Sequence, residues 1–390
     1  MNTCSERSLK HDQPSEAHPG HPGPDQRGGI RGCGDHPHHH RADAGPVRLG
    51  VRLHERVPGP GADLAADQLA AKEGRRAQAG GRPVITGRFA PTPSGRLHLG
   101  NLLCAMLAYL SARSQGGRFL LRIEDLDVPR CPRHLSQQCI DDLQWLGFTW
   151  DEEPLWQSQR SDVYQRYLDE LQKQGLIYPC FCTRAQLMAS QAPNLGDTQV
   201  VYNRACANLS DEEIARLAQS RSPALRLRVP DAEVSFTDGL FGPQQENLAR
   251  DCGDFILRRS DGLFGYQLAV VVDDALSGVN EVVRGRDILS ATPRQIFLLD
   301  KLDFPVPEYV HIPLLMDSQG RRLAKRDKDL DLSALSRRYT PADILGMLAC
   351  AAGVIPENRP MTLEQLIPLF DWNNVKRADI RLPEMEAAHG

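Results

Sequence analysis

The sequence predicts an α/β protein: a parallel sheet interleaved with helices, interrupted once by a cysteine-bearing insertion and followed by a short helical segment. Three observations carry this. Strand-like and helix-like patterns alternate over residues 83–177 and resume over 251–330, and parallel strands need such crossovers. Residues 178–250 break the alternation with cysteines, short strands and polar loops. Residues 331–390 show helical pattern only.

Taken in order, VITGRFA (84–90) reads as the first strand and 100–114, with its LLCAMLAYL core, as a buried helix. FLLRIE (119–124) is a second strand, followed by helical spacing at 133–146 and 160–174. Inside the insertion, ALRLRV (224–229) is a short strand; DFILRR (254–259) and EVVRG (281–285) then resume the sheet. Thr292-Pro293 opens a helix, cap then proline, that runs to about Leu302. Helical patterns recur near 341–351 and 362–370, and no internal repeat is visible.

Residues 1–82 are different. They are rich in Gly, Pro, Arg and His and lack any sustained period, so they cannot bury enough apolar surface to offset their ordering entropy. They are expected to be disordered or untranslated, with translation starting near Val84. Cys33, His36, His38, His39 and His40 offer metal ligands there, but no fold to fix their geometry. No apolar run approaches the roughly 18 residues of a membrane span, and no charged-then-apolar leader opens the chain, which points to a cytoplasmic protein without membrane contact. The net charge of −4 does not announce a nucleic-acid binder, so any RNA surface has to be a local basic patch. Ten cysteines spread along such a chain read as reduced thiols with at most one metal site.

RFAPTPSGRLHLGN (88–101) joins the first strand to the first helix. Ligands of parallel sheets bind there, at strand C-terminal ends and helix N-termini. Prolines stiffen the turn, Gly95 and Gly100 allow close approach, and His98 stands where it can donate to a phosphoryl oxygen. DSQGRRLAKRDKD (317–329) is a basic, glycine-containing loop suited to closing over polyphosphate. Cys180-x-Cys182 and Cys206 supply three thiolates, one short of a tetrahedral zinc site, with Tyr202 or water open as the fourth ligand. Cys104, Cys131, Cys139, Cys252 and Cys350 have no ligand spacing.

Together these stretches resemble the class I aminoacyl-tRNA synthetases. HLGN (98–101) is similar to the HIGH signature and RLAKR (322–326) to the KMSKS loop. RFAPTPSGRLHLGN, LRIEDLD (121–127), DGLFGYQLAVVVDD (261–274) and VVRGRDIL (282–289) follow in the order of the glutamyl branch. Two departures stand out: Arg322 and Ala324 replace the lysine and serine of the loop, and Asn101 replaces the final histidine of the signature.

The resemblance implies a Rossmann-like catalytic domain that joins the carboxylate of an amino acid to the α-phosphate of ATP and passes the acyl group to an RNA hydroxyl. It implies that His98, Gly100 and Lys325 hold ATP with Mg²⁺. It also implies that Arg88, Phe89, Ala90, Pro91, Thr92, Glu124, Tyr266 and Arg284 bind L-glutamate, the arginines taking carboxylate and Glu124 the ammonium. Cys-x-Cys…Tyr-x3-Cys matches the structural Zn²⁺ pattern of glutamyl-queuosine tRNA(Asp) synthetases, through Cys180, Cys182, Tyr202 and Cys206. Only 64 residues follow Arg326, too few for an anticodon-binding region, which favours that family. Its members activate glutamate without tRNA and esterify queuosine at the wobble position of tRNA(Asp). A monomer is expected. The alternatives are a glutamyl-tRNA synthetase charging tRNA(Glu) and a non-catalytic RNA-binding adaptor; a glutaminyl-type enzyme is disfavoured by the two arginines.

Overall fold

The computed structural model describes residues 84–183, 201–316 and 332–381. The 1–82 extension with its Cys33–His40 cluster, and the RLAKR loop with Arg322, Ala324 and Lys325, lie outside the described residues.

The chain runs β1 (Thr86–Phe89), α1 (Leu99–Ser114), β2 (Arg118–Ile123), α2 (Arg133–Trp145), β3 (Leu155–Trp156), α3 (Ser161–Lys173) and β4 (Ile177–Cys180). It continues through α4 (Asp211–Ala218), β5 (Ala224–Leu227), β6 (Glu233–Asp238), β7 (Gly242–Asn247), β8 (Phe255–Arg258), α5 (Tyr266–Leu276), β9 (Glu281–Gly285), α6 (Thr292–Lys301) and β10 (Glu308–Ile312). β11 (Leu315–Met316), α7 (Leu332–Leu335), α8 (Pro341–Ala352), α9 (Leu363–Leu366) and β12 (Ile380–Arg381) complete it.

β1, β2 and β3 pair in parallel, as do β9 and β10. Asn280 sets the two groups side by side. Thr86 N–H donates to its side-chain oxygen at 2.8 Å, and the Asn280 N–H donates to Thr86 O at 3.1 Å. Both faces of this layer are buried, the polar residues of its strands included. Successive residues feed opposite cores: Phe119 and Leu121 enter one and Leu120 the other, and Val283 and Val282 divide likewise.

α1 carries almost no polar face and is buried along most of its length, in the core that also takes Ile344, Leu345 and Leu348 of α8. The second core gathers α3, α5 and α6 around Tyr164, Tyr167, Leu268 and Phe297. α8 begins where the sequence predicts. Thr340 caps it reciprocally with Asp343, Pro341 occupies the first turn, and Gly353 ends it in the left-handed conformation at φ 89°.

Several expectations are corrected. β8 does not resume the parallel sheet: it lies in an antiparallel sheet with β4 and β5, so DFILRR belongs with the cysteine-bearing strands. Asp254, ahead of β8, fixes this by accepting the Val229 N–H and the Tyr178 hydroxyl. Thr292 is the first helical residue of α6 rather than its cap, because its hydroxyl accepts from Arg284 instead of from the helix. The polar stretch 233–247 is an antiparallel hairpin, β6–β7. EYVHI (308–312) is a parallel strand hidden in sequence by the prolines around it.

Candidate active site and metal centre

His98 has extended backbone (φ −106°) and caps α1. Its Nδ1 accepts the Gly100 N–H at 3.1 Å, and Asn101 Oδ1 accepts the His98 N–H at 3.3 Å. This reciprocal box accounts for Asn101: a short amide closes the cap. With Nδ1 an acceptor, the neutral ring carries its proton on Nε2, which makes Nε2–H the ring's donor at the helix N-terminus. Gly100 leaves the ring undisturbed, since a Cβ there would sit 3.0 Å from His98 Cε1 and press on it.

The C-terminal ends of β1 and β2 and the helix α5 enclose a buried charge lattice. Arg88 donates to Asp274 through Nε and Nη2 at 3.1 and 3.3 Å, and through Nη1 to Val283 O at 3.3 Å. Arg122 donates through Nη1 to Asp274 and through Nη2 to Glu124 Oε1 at 3.2 Å. Thr92 reaches Glu124 Oε2 at 3.4 Å. Burial pushes the Asp274 carboxyl up, but the Arg122 and Arg88 guanidiniums outweigh it and hold it below the usual range. For Glu124 burial wins over Arg122, and its carboxyl is raised. Tyr266 opens α5, is 37% exposed, and stands in the field of Glu124, Arg284, Arg88 and Arg122. The structure thus gathers Arg88, Thr92, Glu124 and Tyr266 at one end of the sheet. Phe89 is different: its side chain lies in the first core, so only its backbone can face a ligand.

Arg284, at the end of β9, is held differently from the other two arginines. Its Nε donates to His311 Nε2 at 2.9 Å, Nη1 to Gln295 Oε1 at 2.6 Å and Nη2 to Thr292 Oγ1 at 2.7 Å. All three acceptors are neutral. Arg284 is 4% exposed, and it makes no ion pair among the described residues. A buried guanidinium without a carboxylate is expensive, and an anionic ligand relieves that cost.

The cysteines behave as a set. The sulfurs of Cys180, Cys182 and Cys206 all lie within 4.8 Å of one another. The Tyr202 hydroxyl oxygen is 3.4 Å from Cys180 Sγ and 3.5 Å from Cys182 Sγ, and it also accepts the Cys206 N–H at 2.9 Å. Three sulfurs and one phenol oxygen at this spacing suit a tetrahedral, thiophilic divalent ion. Arg226 lies over the Tyr202 ring, 3.9 Å from its centroid, and donates to Asp254 O at 2.9 Å. Burial pushes the Cys180 thiol up, but its bonds to Tyr202 and Arg226 prevail and lower it. Arg204, inside the Tyr-x3-Cys turn, adopts φ 60° and is tied down by Asp254 at 2.9 Å.

Asp274, His311 and Asp238 were not singled out in the sequence. The signal for Asp274 was there: VVVDD ends an apolar helix with two acids, and buried acids require partners. Its neighbour Asp273 takes Tyr164, Gln157 and Arg160. Nothing local marks His311 and Asp238, which meet across 73 residues of sequence.

The family profile described as tRNA synthetases class I (E and Q), catalytic domain, matches residues 84–375. The chain is similar to the Glutamyl-Q tRNA(Asp) synthetase of Symbiobacterium thermophilum, 47% identical over 312 residues that cover 77% of this chain and 96% of the relative. It is 48% identical to that of Nitratidesulfovibrio vulgaris over 298 residues, 74% and 92% of the two chains. Among solved structures it is similar to a glutamate tRNA ligase from Elizabethkingia meningosepticum in complex with its amino acid. There the TM-score is 0.66 at 27% identity, covering 77% of this chain and 67% of the other.

Proposed function

We propose, because the chain belongs to the class I glutamyl and glutaminyl tRNA synthetases and spans nearly the full length of glutamyl-Q tRNA(Asp) synthetases, that it activates L-glutamate with ATP and transfers it to queuosine in tRNA(Asp). The observation that carries the glutamate reading is the uncompensated Arg284 charge, which calls for a carboxylate beside Tyr266. The α-carboxylate oxygen attacks the α-phosphate; the bond to the bridging oxygen breaks and pyrophosphate leaves, its charge being one that Mg²⁺ bound with ATP would help to neutralise. The acyl carbon then passes to a queuosine hydroxyl at the wobble position, releasing AMP.

The protein's share is orientation and charge stabilisation. His98 Nε2–H and Lys325 donate to the phosphate chain, with Gly100 giving the nucleotide room. Arg284, with Arg88 behind it, takes a substrate carboxylate, and Glu124 attracts the ammonium. Arg88 is neutralised by Asp274, so its part is to offer the outer N–H groups of a fixed fork. Phe89, Ala90, Pro91 and Thr92 form the wall of the pocket. Cys180, Cys182, Tyr202 and Cys206 fit structural Zn²⁺. No helix among the described residues is long and apolar enough to cross a membrane.

The test is glutamate-dependent ATP–pyrophosphate exchange by the full chain without RNA. Exchange is expected in the wild type and its loss in Lys325→Ala. Exchange that appears only after tRNA(Glu) is added would overturn the queuosine reading in favour of an ordinary glutamyl-tRNA synthetase.

Gly100→Ala separates catalysis from folding. Alanine is the better helix former by about 1 kcal/mol, so the melting temperature should not fall. Its Cβ presses on the imidazole edge of His98, 3.0 Å from Cε1, so the ATP KM should rise several-fold in the same exchange assay. An unchanged KM would mean that His98 does not hold the nucleotide.

A further inference from the structure

His311 on β10 is fully buried and stands between two charges. Asp238, the last residue of β6, approaches Nδ1 at 2.6 Å, while Arg284 Nε donates to Nε2 at 2.9 Å. These contacts allow one state of the ring. Nδ1 carries the proton and gives it to the carboxylate, and Nε2 keeps its lone pair for the guanidinium. A protonated ring would set two N–H donors against each other at Nε2. Burial and the Arg284 charge push the imidazole down in the same sense, against the pull of Asp238.

Asp238 is in turn fixed by backbone. It accepts the N–H groups of His311 at 3.0 Å, Leu240 at 3.1 Å and Phe241 at 2.9 Å. Its charge is absorbed by these donors and the imidazole, one ring away from Arg284. Direct contact would have produced the arrangement at Arg88, where a carboxylate meets the guanidinium and cancels it. The interposed ring transmits orientation without neutralising charge.

We propose that Asp238 and His311 are specificity-determining positioning residues: they hold Arg284 through a neutral imidazole so that its full charge faces the ligand, and the pocket therefore takes a carboxylate in preference to the corresponding amide. The proposal rests on the reading of Arg284 as the carboxylate-binding group. A pocket built the other way, with an acid on the arginine, would lose its preference for an anion.

The full chain carrying His311→Leu, His311→Gln or His311→Glu tests this in ATP–pyrophosphate exchange with glutamate and with glutamine. His311→Leu removes the acceptor and is expected to raise the glutamate KM about 10- to 100-fold, with the ATP KM unchanged. His311→Gln returns a neutral acceptor and should recover most of that loss. His311→Glu sets a carboxylate against Arg284 and should collapse the glutamate-over-glutamine ratio of kcat/KM, a change that a merely structural role would not produce.

Equal losses in kcat and in both KM values for Leu and Gln, or an unaltered ratio in Glu, would overturn the proposal. Should the wild type show no exchange with glutamate, the reading of the pocket fails, and the relay is decided by ¹⁵N shifts of labelled histidine. The Nδ1–H tautomer, with an Arg284 Nε–H resonance that disappears in His311→Leu, supports the relay; the Nε2–H tautomer or a charged ring overturns it.

Discussion

Asp274→Asn is expected to destabilise the protein by about 3–5 kcal/mol at pH 7, the usual cost of breaking a buried ion pair from one side. The size follows from what remains. Arg88 and Arg122 both donate to this carboxylate, and all three side chains are almost completely buried. An amide offers one oxygen and no charge, so two guanidiniums would share the remaining Glu124. Urea denaturation of the wild type and variant measures the gap directly.

Its pH dependence has a defined sign. The native Asp274 carboxyl is held below its ordinary value, so its contribution is present above the unfolded carboxylate value of about 3.9 and is lost as pH falls through the lower native one. Glu124 works in the opposite sense: its native carboxyl is raised, so its contribution is present at low pH and is lost as pH rises through the native value. The gap between wild type and Asp274→Asn should therefore hold from pH 7 to about 4 and close below it. A gap that is absent at pH 7, or constant down to pH 2, would mean the lattice does not hold the fold together.

Cys206→Ala is expected to release zinc and unfold the cysteine-bearing knuckle while the parallel sheet persists. The buried side chains of this small core are Tyr178, Cys180, Phe181, Tyr202, Cys206 and Ala207. Half of them, Cys180, Tyr202 and Cys206, are proposed ligands, so little apolar surface remains to hold the segment without the ion. Structural zinc binds with about 10–16 kcal/mol of apparent free energy in small modules at neutral pH, and one lost thiolate removes much of it. Metal analysis should give one zinc per wild-type chain and none in the variant, and limited proteolysis should cut the variant near residues 180–206. Full protection of a metal-free wild type would count against the site.

The elements legible in the sequence were those with their own punctuation. α1 follows a proline-stiffened turn, and α8 has Thr340, Pro341 and Gly353 at its ends. β2 carries the apolar run FLL at its centre. The hairpin β6–β7 was not legible, because EVSFTD and GPQQEN carry polar residues and a proline where a buried strand would carry apolar ones. The candidate site divides in the same way. Arg88, His98, Glu124 and the cysteines lie in short stretches whose spacing is informative. Their partners do not: Asp274 reaches Arg88 across 186 residues, and no local pattern encodes that meeting.

The hairpin β6–β7 has a consequence for engineering the chain. Between Tyr178 and Asn247 the sequence looks like a cassette set between two halves of a parallel sheet, and cassettes invite exchange. Yet Asp238, at the tip of that hairpin, is the anchor beneath His311 and so beneath Arg284. A chimera that replaces the whole insertion with a relative's must pair the new β5 with the recipient's β8, and it also exchanges the anchor beneath Arg284. A boundary ahead of β6, between the cysteine knuckle and Glu233, leaves the recipient its own Asp238.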